Sequence, residues 1–443
     1  MLDWGILRRA WSIAWPLIVA EAVDSVLSVT DMFFVSKLGD EATAAIGLAG
    51  YASWLFFVSV QLFYMGVLVL AAQAYGAERP GEASRILGES LPSAFLTTLP
   101  IAAAGYFYSF EFLGLLGGWD PATVPLASDY FRVRVLVLPL VAVTMTISAA
   151  FRAVGMTKPV MVATVSGALV NIVLDPLLIF GLGPFPRLGI VGAAVASAAA
   201  FVVDFALHVA FTRILPFPVR LAVPGLGALK AARVGLPPTV ERTVFALGNM
   251  VYIAVISRCG RDFLAAHTIG VRIEAFAYLP AFAMSVAASS MVGQETGRRD
   301  IGLAKRVGWE VAKGTTIFMV LAGLLLAALS PVAPQVFTDT PRILWLSMIY
   351  LVLAAISEPS LGLVMALAGS IRGAGNTLVP TVVNLASLYL FRVVPAFLLP
   401  RLMPPGLCAV GAWIAMDIDL FARSAIFLVL YRRGFERLAR VLV

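Results

Sequence analysis

The sequence predicts an all-α integral membrane protein of twelve transmembrane helices. These form two parallel six-helix lobes, related by a pseudo-twofold axis along the membrane normal. Three observations predict this fold class: the composition, the run of apolar segments and an internal repeat. Of the 443 residues, 60% are hydrophobic and only 13% are charged, and the mean hydropathy is +0.94. A soluble protein of this length could not bury that much apolar surface.

Twelve apolar segments follow one another along the chain, each near or above the roughly 20 residues that a helix needs to cross a bilayer. They are 11–36, 46–75, 90–116, 127–150, 159–181, 189–212, 236–257, 263–296, 311–337, 343–370, 379–400 and 407–431. The first continues without a small-residue cleavage site, so we expect a span and not a removed signal. The sequence does not show the alternating ten-residue strands of a membrane barrel.

Basic residues are distributed unevenly over the loops between these segments. Most of them lie at the termini and in alternate loops, whereas the other side carries few: Lys37, Arg187, Arg258, Arg261, Arg342 and Arg401. Cytoplasmic loops are enriched in Lys and Arg. We therefore expect a multi-pass protein of the cell inner (plasma) membrane with both termini cytoplasmic, and we attribute the basic excess to topology, with no nucleic-acid partner.

An internal repeat relates the two halves at an offset of 221 residues. Residues that match at this offset are Pro16 with Pro237, Gln73 with Gln294, Gly76 with Gly297, Arg85 with Arg306 and Glu89 with Glu310. Six spans per half keep both repeats in the same orientation, which excludes the inverted-repeat transporter folds. The predicted domains are an N-lobe of residues 1–212, a cytoplasmic linker of residues 213–235 and a C-lobe of residues 236–443.

The first span carries three acids and a proline within a long apolar stretch. Glu21, Asp24 and Asp31 lie on one arc of the predicted helix, and Pro16 bends its first half. A carboxylate at membrane depth is costly unless it faces protein or water, so intramembrane acids are functional candidates. We expect Asp31 to bind a coupling ion. Asp24 and Glu21 are candidates to line a substrate cavity, or they pair with Arg132 or Arg134.

The fifth span places Asn171 and Asp175 on one helix face, four residues apart. With Asp31 and Ser197 they would form an all-oxygen cluster. Such a cluster is suited to a hard cation such as Na⁺, or its two acids can share a proton near neutral pH. The residues alone do not decide between Na⁺ and H⁺. The structural alternative is that Asp175 pairs locally while Asn171 bonds a neighbouring helix.

The repeat breaks at these positions. In the second half, Tyr252 stands in the place of Asp31, Arg392 in that of Asn171 and Ala396 in that of Asp175. A purely structural role would more naturally be kept in both halves, so we place ion coupling in the first half. The remaining intramembrane acids are expected to pair with neighbours: Asp204, Glu241, Glu274, Glu358, Asp417 and Asp419.

Other residues give weaker signals. Cys259 and Cys408 are isolated and lack CxxC spacing, so we expect no disulfide framework and no metal knuckle. His208 and His267 are expected to be packed, hydrogen-bonded histidines. Walker A, nucleophile-elbow and HExxH motifs do not occur in the sequence. Their absence argues against ATP-driven export and common hydrolase chemistry, and we predict that the protein is not an enzyme.

These features together resemble the multidrug and toxic compound extrusion (MATE) transporters, over nearly the whole chain in two passes. The carrying stretches are Pro16, TDMFFVSKLGDEATAAIGLA (30–49), AAQAYGAE (71–78), NIVLDPLLIFG (171–181), GIVGAAVAS (189–197), GLPPTVE (235–241), SMVGQETG (290–297), SIRGAGNT (370–377) and FRVVP (391–395). The site residues match the DinF-type branch, in which bending of the first span is tied to protonation. The second-lobe acids of the NorM-type branch are not at their places, which are Phe245 and Leu361 here.

The resemblance implies antiport by alternating access. Small organic substrates, cationic or amphiphilic, would leave as H⁺ or Na⁺ enters, with no cofactor beyond a possible bound Na⁺, and a monomer suffices. Two alternatives remain: a lipid-linked precursor flippase of the same superfamily, and an integral-membrane lipid enzyme. A flippase would favour a cationic cavity, whereas acids dominate the first span. An enzyme would need a clustered catalytic constellation, which two separated histidines do not supply.

Overall fold

The computed structural model describes residues 2–443, apart from the side chains of Ser28 and Pro405. Over this range the chain forms helices and no strand. The α-helices are α1 (Trp4–Ser36), α2 (Asp40–Phe57), α3 (Gln61–Gly76), α4 (Pro80–Phe107), α5 (Ser109–Gly117), α6 (Thr123–Leu136), α7 (Leu138–Ala153), α8 (Thr157–Phe180), α9 (Ile190–Phe211), α10 (Leu226–Ser257), α11 (Arg261–Gly297), α12 (Ile301–Leu329), α13 (Pro341–Gly373), α14 (Leu378–Ser387), α15 (Val394–Leu398), α16 (Cys408–Val429) and α17 (Phe435–Leu438). A π-helical segment, Leu388–Val393, joins α14 to α15.

The long helices overlap the twelve predicted spans. Within the described residues, nine helical stretches are long and apolar enough to cross a membrane, and the bent pair α6 and α7, at 45°, makes a tenth. The other two spans are α1, with 33 residues, and α16, with 22. Every 18-residue stretch of α16 contains Asp417, Asp419 and Arg423, so its apolar character is interrupted by charge.

The chain divides into two compact units. The first unit is Pro16–Thr239, and the second is Val240–Val443 together with the N-terminal segment up to Trp15. These units differ from the predicted lobes in two places. The first turns of α1 belong to the second unit, and the predicted linker 213–235 belongs to the first unit, where Leu226 already begins α10.

Close backbone packing holds the start of α10 in the first unit. A Cβ atom on Gly66 would overlap the backbone of Ala231. The Glu89 carboxylate accepts hydrogen bonds from the backbone N–H groups of Gly227 at 2.7 Å and Ala228 at 3.2 Å. These donors lack partners within the helix, so Glu89 caps α10, and its negative charge interacts favourably with the positive N-terminal end of the helix dipole. The second part of the predicted linker, from Leu226 onwards, is therefore a docked helix start.

A repeat-related device holds the start of α1 in the second unit. Glu310, the counterpart of Glu89, accepts a hydrogen bond from the backbone N–H of Asp3 at 3.1 Å. The Asp3 carboxylate pairs with Arg306 at 2.9 Å, and the Arg9 guanidinium donates to Gln294 at 2.6 Å. The helix α1 thus passes from the second unit into the first at Pro16.

Cys259 and Cys408 form a disulfide, with their Cα atoms 5.6 Å apart. The prediction of no disulfide framework is therefore wrong. The two cysteines are separated by 149 residues, and no local spacing could reveal their pairing. The turn between α10 and α11 meets the start of α16 because these helices bury a common core around Trp413, Tyr350 and Tyr252.

Candidate ion-binding site in the first unit

Three helices of the first unit bring the predicted cluster together. Asp31 comes from α1, Asn171 and Asp175 from one face of α8, and Ser197 from α9. Asn171 and Asp175 are fully buried, and Asp31 and Ser197 are 8% and 3% exposed. The α8 and α9 helices pack closely here because Gly167 and Gly192 leave no room for side chains between them.

Asn171 links the two carboxylates. With its amide nitrogen turned towards the acids, it donates to Asp31 Oδ1 at 2.9 Å and to Asp175 Oδ2 at 3.2 Å. Its oxygen then accepts from the Ser197 backbone N–H at 3.1 Å. This orientation satisfies every polar atom of the amide. The Ser197 hydroxyl also reaches Asp31 Oδ2 at 3.4 Å.

The two carboxyl groups contact each other and lack a neutralising ion pair among the described residues. The Asp175 Oδ1 atom is buried and has no hydrogen-bond partner. A buried charge costs several kcal/mol unless a counter-charge or proton accompanies it. Two carboxylates, an amide and a hydroxyl are all-oxygen donors, and such a set is suited to one proton or one hard cation.

Two residues of α6 complete the surroundings: Tyr130, which the sequence did not indicate, and Arg134, which was expected beside Glu21 or Asp24 and instead lies near Asp31. The buried Tyr130 hydroxyl hydrogen-bonds with Ser197, and Arg134 attracts Asp31 electrostatically without an ion pair. The Arg134 guanidinium stacks within 5.2 Å of the Phe201 ring. Leu27 lies one turn before Asp31 on the first span and carries no hydroxyl that could join the cluster. Tyr130 supplies an aromatic hydroxyl from another helix. No local pattern in the sequence indicates this contribution.

The other candidates of α1 lie outside this cluster. Glu21 is half-buried and Asp24 is exposed. The charged groups that act on Asp24 are Glu21, Asp204 and Arg152. Neither residue forms an ion pair with Arg132 or Arg134 within the described structure. Arg132 instead donates to Ser109 at 2.7 Å and lies 3.7 Å from Asp129.

In the second unit, a fixed guanidinium stands where the first unit holds Asn171. Arg392 donates to Asp419 Oδ2 at 2.9 Å, and its guanidinium lies 5.9 Å from the ring of Tyr252, the counterpart of Asp31. Asp419 is fully buried and is also bound by Arg423 and by the Ser387 hydroxyl. A built-in cation thus stands at the place that Asn171 holds in the first unit.

The second-half acids divide into paired and unpaired groups. Glu241 pairs with Arg372 at 2.8 Å and accepts from Thr381 and Asn384. Glu274 accepts from the Tyr350 hydroxyl at 2.5 Å. The expected pairing fails for Glu358, which is 1% exposed and has no partner for either carboxylate oxygen. Glu274 acts on it electrostatically across α11 and α13, a proximity that the sequence does not reveal.

The two histidines are packed among neighbouring side chains. His208 Nδ1 hydrogen-bonds with the backbone carbonyl of Asp204 at 3.0 Å and lies 3.2 Å from Asp204 Oδ1, which has no hydrogen-bond partner in the described structure. His267 lies edge-on to the rings of Tyr252 and Tyr350, with centroid distances of 5.9 Å and 5.3 Å.

Two relatives with known names align with most of this chain, and both are named for transport or drug resistance. A probable multidrug resistance protein NorM from Thermotoga maritima is 26% identical over 438 residues, covering 97% of this chain and 93% of the relative. An FAD transporter from Shewanella oneidensis is 29% identical over 371 residues, covering 82% of this chain and 81% of the relative.

Solved structures match the whole chain. A MOP superfamily transporter from Pyrococcus furiosus has a TM-score of 0.89 at 20% identity over 99% of both chains. An outward-facing multidrug resistance MATE family transporter has a TM-score of 0.89 at 20% identity, covering 97% of this chain and 96% of the other. The predicted fold class, an all-α membrane protein of twelve helices in two lobes, is thereby confirmed.

The MatE family model matches residues 16–177 and again residues 237–398. The two matches start 221 residues apart, the offset at which the sequence repeats. Because the model covers more than half of the chain in these two passes, this chain belongs to the MatE family and is a membrane transporter, not an enzyme.

Proposed function

We propose that this transporter is an efflux antiporter that exports small organic compounds, cationic or amphiphilic, in exchange for inward H⁺ or Na⁺. The unpartnered, fully buried Asp175 Oδ1 beside Asp31 carries the proposal. A pair of buried acids without an ion pair among the described residues is suited to reversible loading by a small cation. The family membership and the relatives named for multidrug resistance and FAD transport support the export of organic solutes.

Occupancy of the site acts on α1. Asp31 is the only member of the cluster on this helix, and the other members lie on α8 and α9. When a proton or Na⁺ binds, the net charge of the pair falls and Asp31 packs against Asn171 and Ser197. When the site is empty, charge repulsion between the carboxylates favours separation of α1 from α8. The part of α1 after Pro16 therefore has two preferred positions, as alternating access requires.

The geometry favours H⁺ over Na⁺ as the occupant in this conformation. Asp31 and Asp175 contact each other directly, and two carboxyl groups in contact repel unless a proton lies between them. A Na⁺ ion between them would instead require both carboxylates to move apart. Both ions are compared in the experiment below.

Glu358 is a second candidate for coupling. Its two unpartnered oxygens and its 1% exposure give it the same need for a proton as Asp175. This candidate lies in the second unit, where the sequence predicted pairing alone. Glu358→Gln tests it beside the first-unit variants.

The disulfide supports the proposed orientation, in the cell inner membrane with both termini cytoplasmic. Cys259 and Cys408 join two connections on the side that carries few basic residues. Disulfides persist in oxidising, non-cytoplasmic compartments. Cysteine-accessibility labelling of Arg258→Cys from outside intact cells, in a Cys259→Ser/Cys408→Ser background, tests this orientation.

Transport by purified protein in proteoliposomes tests the function. Vesicles loaded with a fluorescent organic cation are given a proton gradient or a Na⁺ gradient separately, and the initial efflux rate is measured. We expect Asp31→Asn and Asp175→Asn each to abolish gradient-driven transport while the protein stays monodisperse. The two gradients identify the coupling ion.

Matched variants separate a specific effect from a general loss of charge. Asp129→Asn removes an exposed acid of the same unit that takes no part in the cluster, and we expect wild-type transport. Wild-type rates in both site variants would show that the first unit does not couple. If a fluorescent lipid-linked pyrophosphate is flipped and no cation is exported, the flippase alternative replaces this proposal.

A further inference from the structure

One face of α11 in the second unit carries two arginines at the ends of an open groove. The residues on this face recur at helical spacing, and Phe337 from the segment after α12 forms the opposite wall. The lining residues are Arg261, Leu264, Ala265, Thr268, Ile269, Arg272 and Phe337. The groove lies within one unit and is distant in sequence from Asp31 and Asp175.

Neither guanidinium has a partner. Within the described chain, the side chains of Arg261 and Arg272 form no ion pair and no hydrogen bond, and no acid lines the groove. The neighbouring carboxylates are engaged elsewhere: Asp262 pairs with Arg342 at 3.1 Å, and Glu274 accepts from Tyr350. Arg272 lies within the predicted span 263–296, and an unpaired arginine at membrane depth indicates a functional site by default. Arg261, just before this span, gives the groove a second positive charge.

The space between the arginines is apolar. Leu264, Ala265 and Ile269 line it, together with Phe337, which is 48% exposed. The Arg261 and Arg272 Cα atoms are eleven residues apart on a helix, about 16 Å along its axis. The groove volume is about 510 Å³, which lies in the range that holds a drug-sized ligand.

We propose that this groove binds a small amphiphilic organic anion, with a flat ring against Phe337 and a phosphate or carboxylate group on Arg261 or Arg272. Guanidinium groups bind phosphate and carboxylate oxygens through paired N–H donors. A soluble anion fits better than a phospholipid, because the groove has cationic groups at both ends and a drug-sized volume. The inference rests on the proposed export of small organic compounds and widens their class to anions.

Equilibrium binding of two flavins to the purified full-length protein tests the inference. Riboflavin and riboflavin 5′-phosphate share one ring system and differ by the phosphate, and flavin fluorescence reports binding of both. We expect the phosphate form to bind at least about tenfold more tightly at low salt, the effect of one charge-assisted contact. We expect the preference to weaken as ionic strength rises.

Two variants locate the site. Arg261→Gln/Arg272→Gln should bring the affinity for riboflavin 5′-phosphate to that for riboflavin. Arg401→Gln removes an exposed arginine of the same unit outside the groove and should leave the preference intact. Equal affinities of the wild type for both flavins, or a preference retained by the double variant, would overturn the inference.

A further experiment distinguishes a bound phospholipid from a bound soluble anion. In nanodiscs of phosphatidylcholine with and without phosphatidylglycerol, we expect the same affinity for riboflavin 5′-phosphate. If phosphatidylglycerol displaces the flavin in the wild type, the groove is a lipid site and the inference is wrong. These binding results are independent of gradient-driven transport, so failure of the groove leaves the antiport proposal standing, and failure of Asp31 variants to alter transport leaves the groove testable.

Discussion

Replacing Asp419 with Asn should destabilise the second unit far more than its small chemical change suggests. Asp419 is fully buried and holds two arginines: Arg392 at 2.9 Å and Arg423 at 2.7 Å and 2.5 Å. The triad carries a net charge of +1, and removal of the carboxylate leaves two buried guanidinium groups facing a neutral amide. Removal of one partner from a buried ion pair costs about 3–5 kcal/mol.

The expected shift in melting temperature follows from the size of the unit. If its roughly 200 residues unfold together, with about 2.1 cal/mol/K of entropy per residue, this loss lowers the midpoint by about 7–12 °C. We would measure it by heating detergent-solubilised protein and following the monodisperse fraction by fluorescence-detected gel filtration.

The pair formed by Asp262 and Arg342 supplies the control. Its distance of 3.1 Å is similar, but the side chains are 47% and 55% exposed. An exposed pair contributes about 0–1 kcal/mol, so Asp262→Asn should shift the midpoint by at most about 2 °C. Equal shifts for Asp419→Asn and Asp262→Asn would show that burial does not set the strength of the triad and would refute this reasoning.

Three further predictions concern the docked helix start, an ion pair near the C-terminus and the disulfide. Gly66→Ala should abolish the monodisperse gel-filtration peak, because its Cβ overlaps the Ala231 backbone, whereas Gly50→Ala, with open space around it, should retain the peak. The hydrogen bond and charge of Lys305 lower the pKa of Glu436. This pair therefore stabilises the protein above the unfolded pKa of about 4.3, and its contribution is lost as the pH falls through the lower folded pKa. The Glu436→Gln variant should melt at a lower temperature than wild type at pH 7 and at the same temperature below about pH 3. Maleimide should label no cysteine in unreduced denatured wild type and one in Cys408→Ser; labelling of the unreduced wild type would disprove the disulfide.

The site shows how far local patterns in the sequence lead. The four-residue spacing of Asn171 and Asp175 predicts a shared face on one helix, and the repeat singles out Asp31 because its counterpart is Tyr252. Both inferences compare residues through helical periodicity or a constant offset. The sequence did not predict the contact of Tyr130 with the cluster or the lack of a partner for Glu358, since both depend on helices far away in the sequence.

The pairing of the second-half acids could not be derived for the same reason. Arg392 lies 27 residues from Asp419, and Arg372 lies 131 residues from Glu241. In the sequence, Arg392 is identified only as the counterpart of Asn171, and Arg372 only as part of the stretch SIRGAGNT (370–377). Only the packing of α16 and of α10 against their neighbours makes them counter-ions.

The sequence by itself determined the fold class, the repeat and the first-unit cluster, because hydropathy sums over neighbouring residues and helical periodicity places residues four apart on one face. The tertiary structure decided which acids lack a counter-charge, that Cys259 bonds Cys408, and that the start of α10 docks in the first unit. Each of these depends on the distance between groups on separate helices, and burial makes that distance decisive, since charges and polar atoms removed from water are stabilised only by the partners that packing provides.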